Sequence, residues 1–492
     1  MRVIPPKIFF LLFGFAFLIK FLTALYVRYL IGCTPVGYHL DEMVIAGGDY
    51  FSYNGAMENY IQTGSYYFFN GLENMYAGRL PHYSIPYFLL RQVFNVAYTN
   101  FIVMVLQIAT ECLAFIYLAK LAQQITNRKS SFYLVYGLYL ISFLTSYYNN
   151  QVLPDSLSVS IMIFFLYFFY QYLLNPSYKK LLVSGLFLGL LVVLKPYFSL
   201  LYMGVGICFL LPMQQVFSKS SLSQVFLKTL IVSLPLLLFV TPWAVRNYRI
   251  YHRFIPFQIN TVAGYNYTQA DMACRRFLQA IGEDFIEWEN TSAGNYFNIN
   301  CIAPCTYTLP TYTYTEDYDS TKVEQVRSAY LQLQHHYAVD RDRQVAAAFD
   351  HLTSSFRSEK PVYFYIIAPI MLSKKFLLTG ACYFPQLNCP GIHAALTYYV
   401  QIILYWSTLL IGTGGLILLA RRNQQHLIFI AVPIFLILFF PIYFRGVELR
   451  YFMHSFPMLL LGFVFFIEQL RTKYLTNLFI NVTQKPKQFK FK

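Results

Sequence analysis

The chain carries a series of apolar runs that are long enough to cross a lipid bilayer, and no other feature constrains its fold as strongly. The first run extends from about residue 8 to residue 30. A helix needs about 20 predominantly apolar residues to span the hydrocarbon core. The chain as a whole is 57% hydrophobic and only 12% charged, a balance that suits a lipid solvent rather than water. We predict an all-α polytopic membrane protein with about ten spans.

Nine further runs have the composition of membrane spans. They lie near residues 101–122, 131–148, 156–174, 181–194, 197–212, 226–245, 395–420, 427–444 and 451–470. The fifth and sixth spans are short and are separated by Lys195-Pro196, so they form either one re-entrant pair or two tilted helices. The stretch 361–384 is interrupted by Lys374 and Lys375, which favours an interfacial helix over an eleventh span.

Basic residues in the short loops between the runs all fall on one side of the predicted bundle. They are Arg2, Lys7, Lys120, Arg128, Lys129, Lys179, Lys180, Lys219, Lys228, Arg421, Arg422 and the lysines after Arg471. Short cytoplasmic loops are enriched in lysine and arginine, so we place both termini in the cytoplasm. The first run lacks a small-residue cleavage site and is interpreted as a retained span. The polar segments 31–100 and 246–393 then lie outside the cytoplasm.

This topology divides the chain into four parts. Residues 1–245 form an N-terminal transmembrane module whose first outer loop, 31–100, is expected to carry the catalytic residues. Residues 246–393 form a large extracytoplasmic loop with short helices, residues 394–470 form the C-terminal transmembrane helices, and residues 471–492 form a basic cytoplasmic tail. The formal charge of +15 suits contact with anionic membrane lipids. No recognition motif for nucleic acid accompanies it, so nucleic acid is not a predicted partner.

The first outer loop brings acidic residues together with aromatic residues and an arginine. It contains Asp41, Asp49 and Tyr53, and Arg79 follows further along. A carboxylate just beyond a membrane helix can accept the proton of an attacking hydroxyl or amine group. The same carboxylate can also be a helix cap or a solvated loop acid. Composition alone favours the cap or the solvated acid.

Short motifs are spread along the chain in a defined order. They are Asp49, Tyr53, Ala56, Gly64, Arg79, Pro81 and Pro86 in the first loop, then Pro154-Asp155, the stretch 185–196, Pro242-Trp243 with Arg246, and Glu448-Leu-Arg450-Tyr451 with Pro457. This pattern resembles the GT-C glycosyltransferases. The resemblance is closest to the protein-mannosyltransferase-like family, glycosyltransferase family 39, and its aminoarabinose-transferase relatives. It covers most of the chain apart from the middle of the second outer loop.

The resemblance implies a GT-C type transmembrane bundle and a hexosyl- or pentosyltransferase. Such enzymes take a sugar from a polyprenyl-phosphate donor and transfer it on the extracytoplasmic side with inversion, with a first-loop aspartate as catalytic base. Asp49 matches that position by its spacing to Tyr53 and Gly64. Family members often carry Asp-Glu there, and this chain has such a pair at Asp41, so Asp41 is the alternative. The resemblance also implies the plasma (inner) membrane, or the endoplasmic reticulum membrane in a eukaryote.

A lipid-linked sugar phosphate requires an apolar groove for its tail and fixed cations for its phosphate. The candidates for those cations are Arg79, Arg246 and Arg450 at predicted outer boundaries, and Lys195 at the outer end of the fifth span. Arginine and lysine side chains at helix ends also extend to the interface for solvation alone. Arg450 is favoured because it lies in an apolar run, where charge is costly. The predicted substrate-binding residues are Tyr53, Arg79, Lys195, Arg246, Glu448, Arg450 and Tyr451.

The sequence holds no histidine or carboxylate cluster with metal-ligand spacing, although His82, His252 and His454 lie near the motifs. Outer-loop carboxylates could bind a divalent cation, but solvated acids are the simpler interpretation, and we predict neither a metal nor a cofactor. The alternative is a transporter or flippase of lipid-linked saccharides, which would be expected to have charged or broken helices in mid-membrane. A polymerase or ligase acting on diphosphate-linked donors would share this topology. The acceptor, whether protein, lipid or glycan, is left open.

Overall fold

The structure is a computed structural model that describes most of the chain. The described residues are 5–32, 44, 49–69, 74–210, 219–258, 268–283, 296–297, 309–378 and 391–483. Within them the fold is all-α apart from one short hairpin, in which Phe68–Phe69 pairs antiparallel with Asn74–Met75. The predicted all-α membrane class is confirmed.

The helices of the first half of the chain, in order, are α1 (Pro6–Gly32), α2 (Ala56–Thr63), α3 (Ile85–Arg91), α4 (Val96–Thr126), α5 (Lys129–Ile141), α6 (Pro154–Leu174), α7 (Tyr178–Leu194), α8 (Leu201–Leu210) and α9 (Lys219–Tyr251). Those of the second half are α10 (Gln269–Ala280), α11 (Ser320–His335), α12 (Val339–Glu359), α13 (Ala368–Leu378), α14 (Ile392–Arg422), α15 (Leu427–Ile437), α16 (Leu449–Phe452) and α17 (Phe456–Thr483). Each of the ten apolar runs predicted from the sequence contains a helix.

Seven helical stretches among the described residues are long and apolar enough to cross a membrane, against the ten spans that were predicted. They are Pro6–Leu30, Val96–Thr126, Pro154–Leu174, Leu222–Tyr251, Ile392–Arg422, Gln424–Phe444 and Arg450–Lys473. An eighth is reached if α12 and the helical stretch Tyr363–Leu378, which meet at a bend of 102°, count as one span. That stretch is where an interfacial helix was predicted.

Three predicted spans are helices that stop short of the bilayer thickness. α5 has 13 residues and α7 has 17, and a shorter apolar helix covers Pro196–Leu210. At a rise of about 1.5 Å per residue, α5 is roughly 20 Å long against a hydrocarbon core of about 30 Å. The chain continues from α5 as a non-helical stretch with one 3₁₀ turn, Ser146–Asn150, before α6 begins.

Glycines permit two close helix crossings in the bundle. A Cβ added at Gly415 of α14 would lie 1.9 Å from the carbonyl oxygen of Gly462 in α17. A Cβ at Gly185 of α7 would lie 2.4 Å from the carbonyl oxygen of Val232 in α9. Small residues at such positions let helix backbones approach closely, which is how membrane helices gain packing contacts when lipid and side chains are equally apolar.

The described residues form two hydrophobic cores. The larger core contains the apolar residues of the bundle helices. The smaller core lies between α10, α11 and α12, around Phe277, Phe349 and Phe356. We call residues 268–283 and 309–367 the polar helical unit, because its helices α10, α11 and α12 bury one apolar face and expose charged residues on the other. An ion pair of 2.7 Å between Lys375 and Glu283 ties α13 to the end of α10.

Candidate functional site

Asp49 lies at the start of the first-loop helices with its carboxylate between two arginines. Arg450 Nη1 is 2.5 Å from Asp49 Oδ2, and Arg79 Nη2 is 3.4 Å from Asp49 Oδ1. The Asp49 side chain is only 7% exposed. The arginines are separated by 371 positions in the sequence, so the bundle fold brings them to one carboxylate. Asp41, the alternative base, lies outside the described residues.

The two guanidinium groups keep Asp49 ionised. Burial raises the pKa of Asp49, but the positive charges of Arg450 and Arg79 outweigh burial and hold that pKa well below its usual range. Tyr53 lies beside the same groups, with the Arg79 guanidinium 5.0 Å from its ring centre. Burial raises the pKa of Tyr53 to about 12, so its hydroxyl keeps its proton and can donate a hydrogen bond.

Glu448 and Tyr451 complete the surroundings of Arg450. Glu448 Oε2 lies 2.5 Å from Arg450 Nε, and the Tyr451 hydroxyl donates to Glu448 Oε1 at 3.1 Å. The Tyr451 ring stacks on Phe440 with 4.2 Å between ring centres. Arg450 therefore has a carboxylate on either side, one from its own segment and one from the first loop. The structure brings together six of the residues predicted from the sequence: Asp49, Tyr53, Arg79, Glu448, Arg450 and Tyr451.

Lys195 is paired with Asp155, a residue that the sequence analysis did not include among the site residues. Lys195 Nζ lies 2.8 Å from Asp155 Oδ1, and both side chains are buried. His454 is close by, with its Nε2 2.8 Å from the Ser158 hydroxyl. The motif Pro154-Asp155 contained a signal for Asp155, because proline at the first helical position marks the start of α6. Lys195 is thus already neutralised by a carboxylate in this structure.

Arg246 lies apart from Asp49 and binds backbone carbonyl groups instead. Its Nη1 donates to the carbonyl oxygen of Tyr76 at 2.7 Å, and its Nη2 donates to that of Tyr66 at 2.5 Å. Its guanidinium also lies 4.7 Å from the ring centre of Trp243. Tyr66 in turn donates to the carbonyl oxygen of Arg79 at 3.1 Å. Arg246 therefore holds the two ends of the first-loop hairpin together, and Arg79 comes shortly after this hairpin in the sequence.

Hydrogen bonds fasten the first loop to the bundle around Asp49. The Ser84 hydroxyl donates to the carbonyl oxygen of Tyr53 at 3.1 Å and to Asn54 Oδ1 at 3.0 Å. Tyr50, the residue after Asp49, has its hydroxyl 3.2 Å from Asn100 Oδ1 at the start of α4. Because of these bonds, the packed bundle determines the position of the Asp49 carboxylate, which does not lie on a solvated loop.

The Arg79 guanidinium has a buried donor that the described residues leave without a hydrogen-bond partner. Arg79 Nε is buried and has no hydrogen-bond partner among the described residues. Buried polar groups are normally hydrogen-bonded, and a guanidinium group suits a phosphate or carboxylate oxygen. An anionic ligand would satisfy this donor. Among the described residues, no group of three or more His, Cys, Asp or Glu side chains is placed to hold a metal ion.

The fold is that of a multi-pass integral membrane protein, and its candidate site holds an ionised carboxylate between two arginines. Residues 85–243 match the family model described as dolichyl-phosphate-mannose-protein mannosyltransferase. The predicted GT-C resemblance is confirmed, and the chain is a glycosyltransferase that uses a polyprenyl-phosphate-linked sugar. The match includes Asp155 and Lys195 but not Asp49 or Arg450. A comparison with curated proteins finds no match.

Proposed function

We propose that this chain transfers a sugar from a polyprenyl-phosphate donor to an acceptor on the extracytoplasmic face of the membrane, with Asp49 as the base. The observation that supports the proposal is the Asp49 carboxylate held between Arg79 and Arg450. The lysine and arginine bias of the short loops supports the extracytoplasmic face. Protein, lipid and glycan hydroxyls are all chemically suitable acceptors.

In the proposed reaction the acceptor oxygen attacks the anomeric carbon of the sugar. The bond between that carbon and the phosphate oxygen breaks, and its electron pair leaves with the polyprenyl phosphate. The proton of the acceptor passes to the Asp49 carboxylate. Attack opposite to the leaving phosphate inverts the configuration of the sugar.

Arg79 and Arg450 act on both ends of this reaction. Their charges hold the pKa of Asp49 down in the unliganded site, and a carboxylate of low pKa is a weak base. Cleavage adds negative charge to the departing phosphate, and arginines placed where charge develops stabilise the transition state. The same negative charge offsets the arginines and raises the basicity of Asp49 when the acceptor proton must be taken.

The remaining site residues have supporting roles in the proposal. Glu448 and Tyr451 hold Arg450 in place, and Tyr53 can donate a hydrogen bond to the sugar or the phosphate. Lys195 is paired with Asp155 near the site, so the pair adds no net charge there. Arg246 supports Arg79 through Tyr66 and not through a contact with Asp49.

The test uses purified protein and radiolabelled polyprenyl-phosphate sugars, beginning with dolichyl-phosphate mannose, with membranes of the source cell as acceptors. Wild type is compared with Asp49→Asn, Asp41→Asn and, as a control, Asp350→Asn on the exposed surface of α12. Loss of a general base lowers rates by about 100- to 10,000-fold, so we expect that loss for Asp49→Asn alone. Full transfer by Asp49→Asn with loss in Asp41→Asn would move the base to Asp41. Full transfer by both variants would show that neither Asp49 nor Asp41 is the catalytic base.

A further inference from the structure

Lys20 in α1 and Glu111 in α4 form an ion pair inside the bundle, and the proposed reaction uses neither residue. Lys20 Nζ lies 3.5 Å from Glu111 Oε1, and the two side chains are 0% and 1% exposed. Both residues lie within candidate membrane spans. Charged groups at such depth are costly, and in membrane proteins they are usually paired and functional.

Lys20 binds the stretch of chain that connects α5 to α6. We call residues 142–153 the linker. Lys20 Nζ donates to the carbonyl oxygen of Ser142 at 2.8 Å and to the Ser146 hydroxyl at 2.7 Å. The ammonium group also lies 5.2 Å from the ring centre of Tyr139, the residue three positions before Ser142. Its contacts are therefore concentrated where the helix ends and the linker begins.

Glu111, the other member of the ion pair, also binds the linker. Its Oε1 accepts hydrogen bonds from the Thr145 hydroxyl and, at 3.3 Å, from the Ser146 hydroxyl. Its Oε2 accepts from Asn149 Nδ2 at 2.5 Å. Three polar side chains of one short segment thus converge on one buried carboxylate.

The linker requires such partners because its backbone is not helical outside the 3₁₀ turn Ser146–Asn150. Non-helical backbone at membrane depth is tolerated only where protein groups satisfy its donors and acceptors. Gln107 of α4 donates to the carbonyl oxygens of Asn149 and Gln151, each at 3.2 Å. Gln401 of α14 accepts from the amide of Phe143 at 2.8 Å. The ion pair and these two glutamines together determine the path of the linker.

The linker in turn contacts the first loop. Asn54 Nδ2 donates to the carbonyl oxygen of Val152 at 3.4 Å. Gln107, which binds the linker, also accepts from the Tyr83 hydroxyl at 2.9 Å. The Tyr83 ring packs edge-on against Tyr53 with 5.4 Å between ring centres. The linker therefore meets the helical turn that follows Asp49, and it ends where α6 begins.

We infer that Lys20 and Glu111 are a positioning pair for the sugar transfer: they fix the linker, which seats both the loop carrying Asp49 and the start of α6 carrying Asp155. The inference rests on the proposed function. Neither residue reaches the site, so both act through residues 142–153. A misplacement of about 1 Å in a reacting group can cost about 100-fold in rate, so a loosened linker affects turnover before it affects donor binding.

The test compares Glu111→Gln, Lys20→Met and the double variant Lys20→Met/Glu111→Gln with wild type, using whichever donor the wild type consumes. The double variant removes both charges and leaves no uncompensated ion, so we expect it to fold with a melting temperature close to that of wild type. Its KM for the donor stays within about twofold, and its kcat falls by about tenfold or more. An unchanged kcat in a folded double variant would overturn the inference.

Glu468→Gln is the matched control. Glu468 is a second buried carboxylate of the bundle, bound by Arg128 at 2.9 Å and by the Ser130 hydroxyl at 2.5 Å, and the described hydrogen bonds do not connect it to the linker. This variant is expected to lower the melting temperature and to keep the kcat of wild type. If kcat falls equally in Glu468→Gln, general loosening of the bundle explains the effect and the positioning role is refuted.

Asn54→Ala tests the other end of the linkage without touching a buried charge. It removes the bond to Val152 and the bond from the Ser84 hydroxyl to Asn54 Oδ1, and it should lower kcat with little change in donor KM. In the double variant Asn54→Ala/Glu111→Gln the losses should be less than multiplicative, because both act on one linker. A normal kcat in Asn54→Ala, or fully multiplicative losses, would contradict the inference even if the Lys20 variants fail to fold. If wild type consumes no donor, the proposed function itself fails.

Discussion

At the scale of single residues, the charge balance at Asp49 determines how the site responds to pH. Two arginines face one carboxylate, and Glu448 provides a second negative charge beside Arg450. Lys195 and Asp155 nearby neutralise each other. The net charge of the site is therefore close to zero only while Asp49 is ionised.

Asp49→Asn should destabilise the protein by about 3 kcal/mol at neutral pH, because it leaves two partly buried arginines short of a counter-ion. The pKa of Asp49 is lowered in the folded state. Its stabilisation is therefore fully present above the unfolded-state pKa of about 3.8 and is lost only as pH falls below that value. Thermal unfolding in detergent should give a constant difference between wild type and variant from pH 5 to pH 8. A difference that changes near pH 6 or 7 would contradict it.

Arg246 and Arg450 should respond differently to the same substitution. Arg246→Lys removes the fork that binds two carbonyl oxygens, so we expect a lower melting temperature and a donor KM within about twofold of wild type. Arg450→Lys replaces the guanidinium proposed to bind the phosphate, so donor KM should rise by about tenfold. Steady-state kinetics with the radiolabelled donor provides the measurement. Equal increases in donor KM would restore Arg246 as a phosphate ligand.

The sequence could predict the residues of the site better than their partners. Asp49, Arg79 and Arg450 were identified from spacing and from family resemblance, and the structure places them in contact. The pair between Asp155 and Lys195 was not predicted, because a lysine at a helix end looks the same whether it extends to the interface or meets a carboxylate on another helix. Only the packing of α6 against the end of α7 distinguishes the two cases.

At the scale of elements, the bundle depends on helices that are broken and on helices that pack closely. The run 131–148 was predicted as one span, yet α5 ends at Ile141 and the linker follows. Hydropathy measures composition and cannot detect where a helix stops. The polar side chains Lys20 and Glu111 that satisfy the linker come from α1 and α4, and nothing in the local sequence reveals them.

Gly415→Ala should test the close crossing of α14 and α17. The added methyl group would lie 1.9 Å from the carbonyl oxygen of Gly462, so the helices must separate, at an expected cost of about 2 kcal/mol or more. Gly414→Ala is the control, because a Cβ there meets nothing within 4 Å, and alanine favours the helix slightly. Melting temperatures in detergent should fall for the first variant and stay level or rise for the second. Similar melting temperatures for the two variants would mean that the crossing does not limit stability.

At the scale of the whole molecule, the polar helical unit and the bundle meet beside the segment that carries Arg450. Arg445 adopts a left-handed backbone conformation, with φ of 57°. Its Nη2 donates to the carbonyl oxygen of Phe364 at 2.7 Å, and its guanidinium lies 4.0 Å from the Phe364 ring centre. Nearby, Gly282 packs closely against α13: a Cβ added at Gly282 would lie 3.0 Å from the Cα of Ala368. A change in how the polar helical unit packs against the bundle would therefore be transmitted to Arg450 through Arg445, five positions earlier in the chain.

Arg445→Gly should loosen this docking while leaving both hydrophobic cores intact. Glycine adopts positive φ without strain, so the variant isolates the loss of the guanidinium contacts with Phe364 and, at 3.5 Å, with the carbonyl oxygen of Gln279. We expect limited digestion within the polar helical unit by a protease of broad specificity to become about tenfold faster, which corresponds to about 1.4 kcal/mol of local stability. Arg276→Ala removes only an exposed ion pair with Asp350 and should leave the rate near that of wild type. Equal rates in the two variants would show that Arg445 does not hold the unit to the bundle.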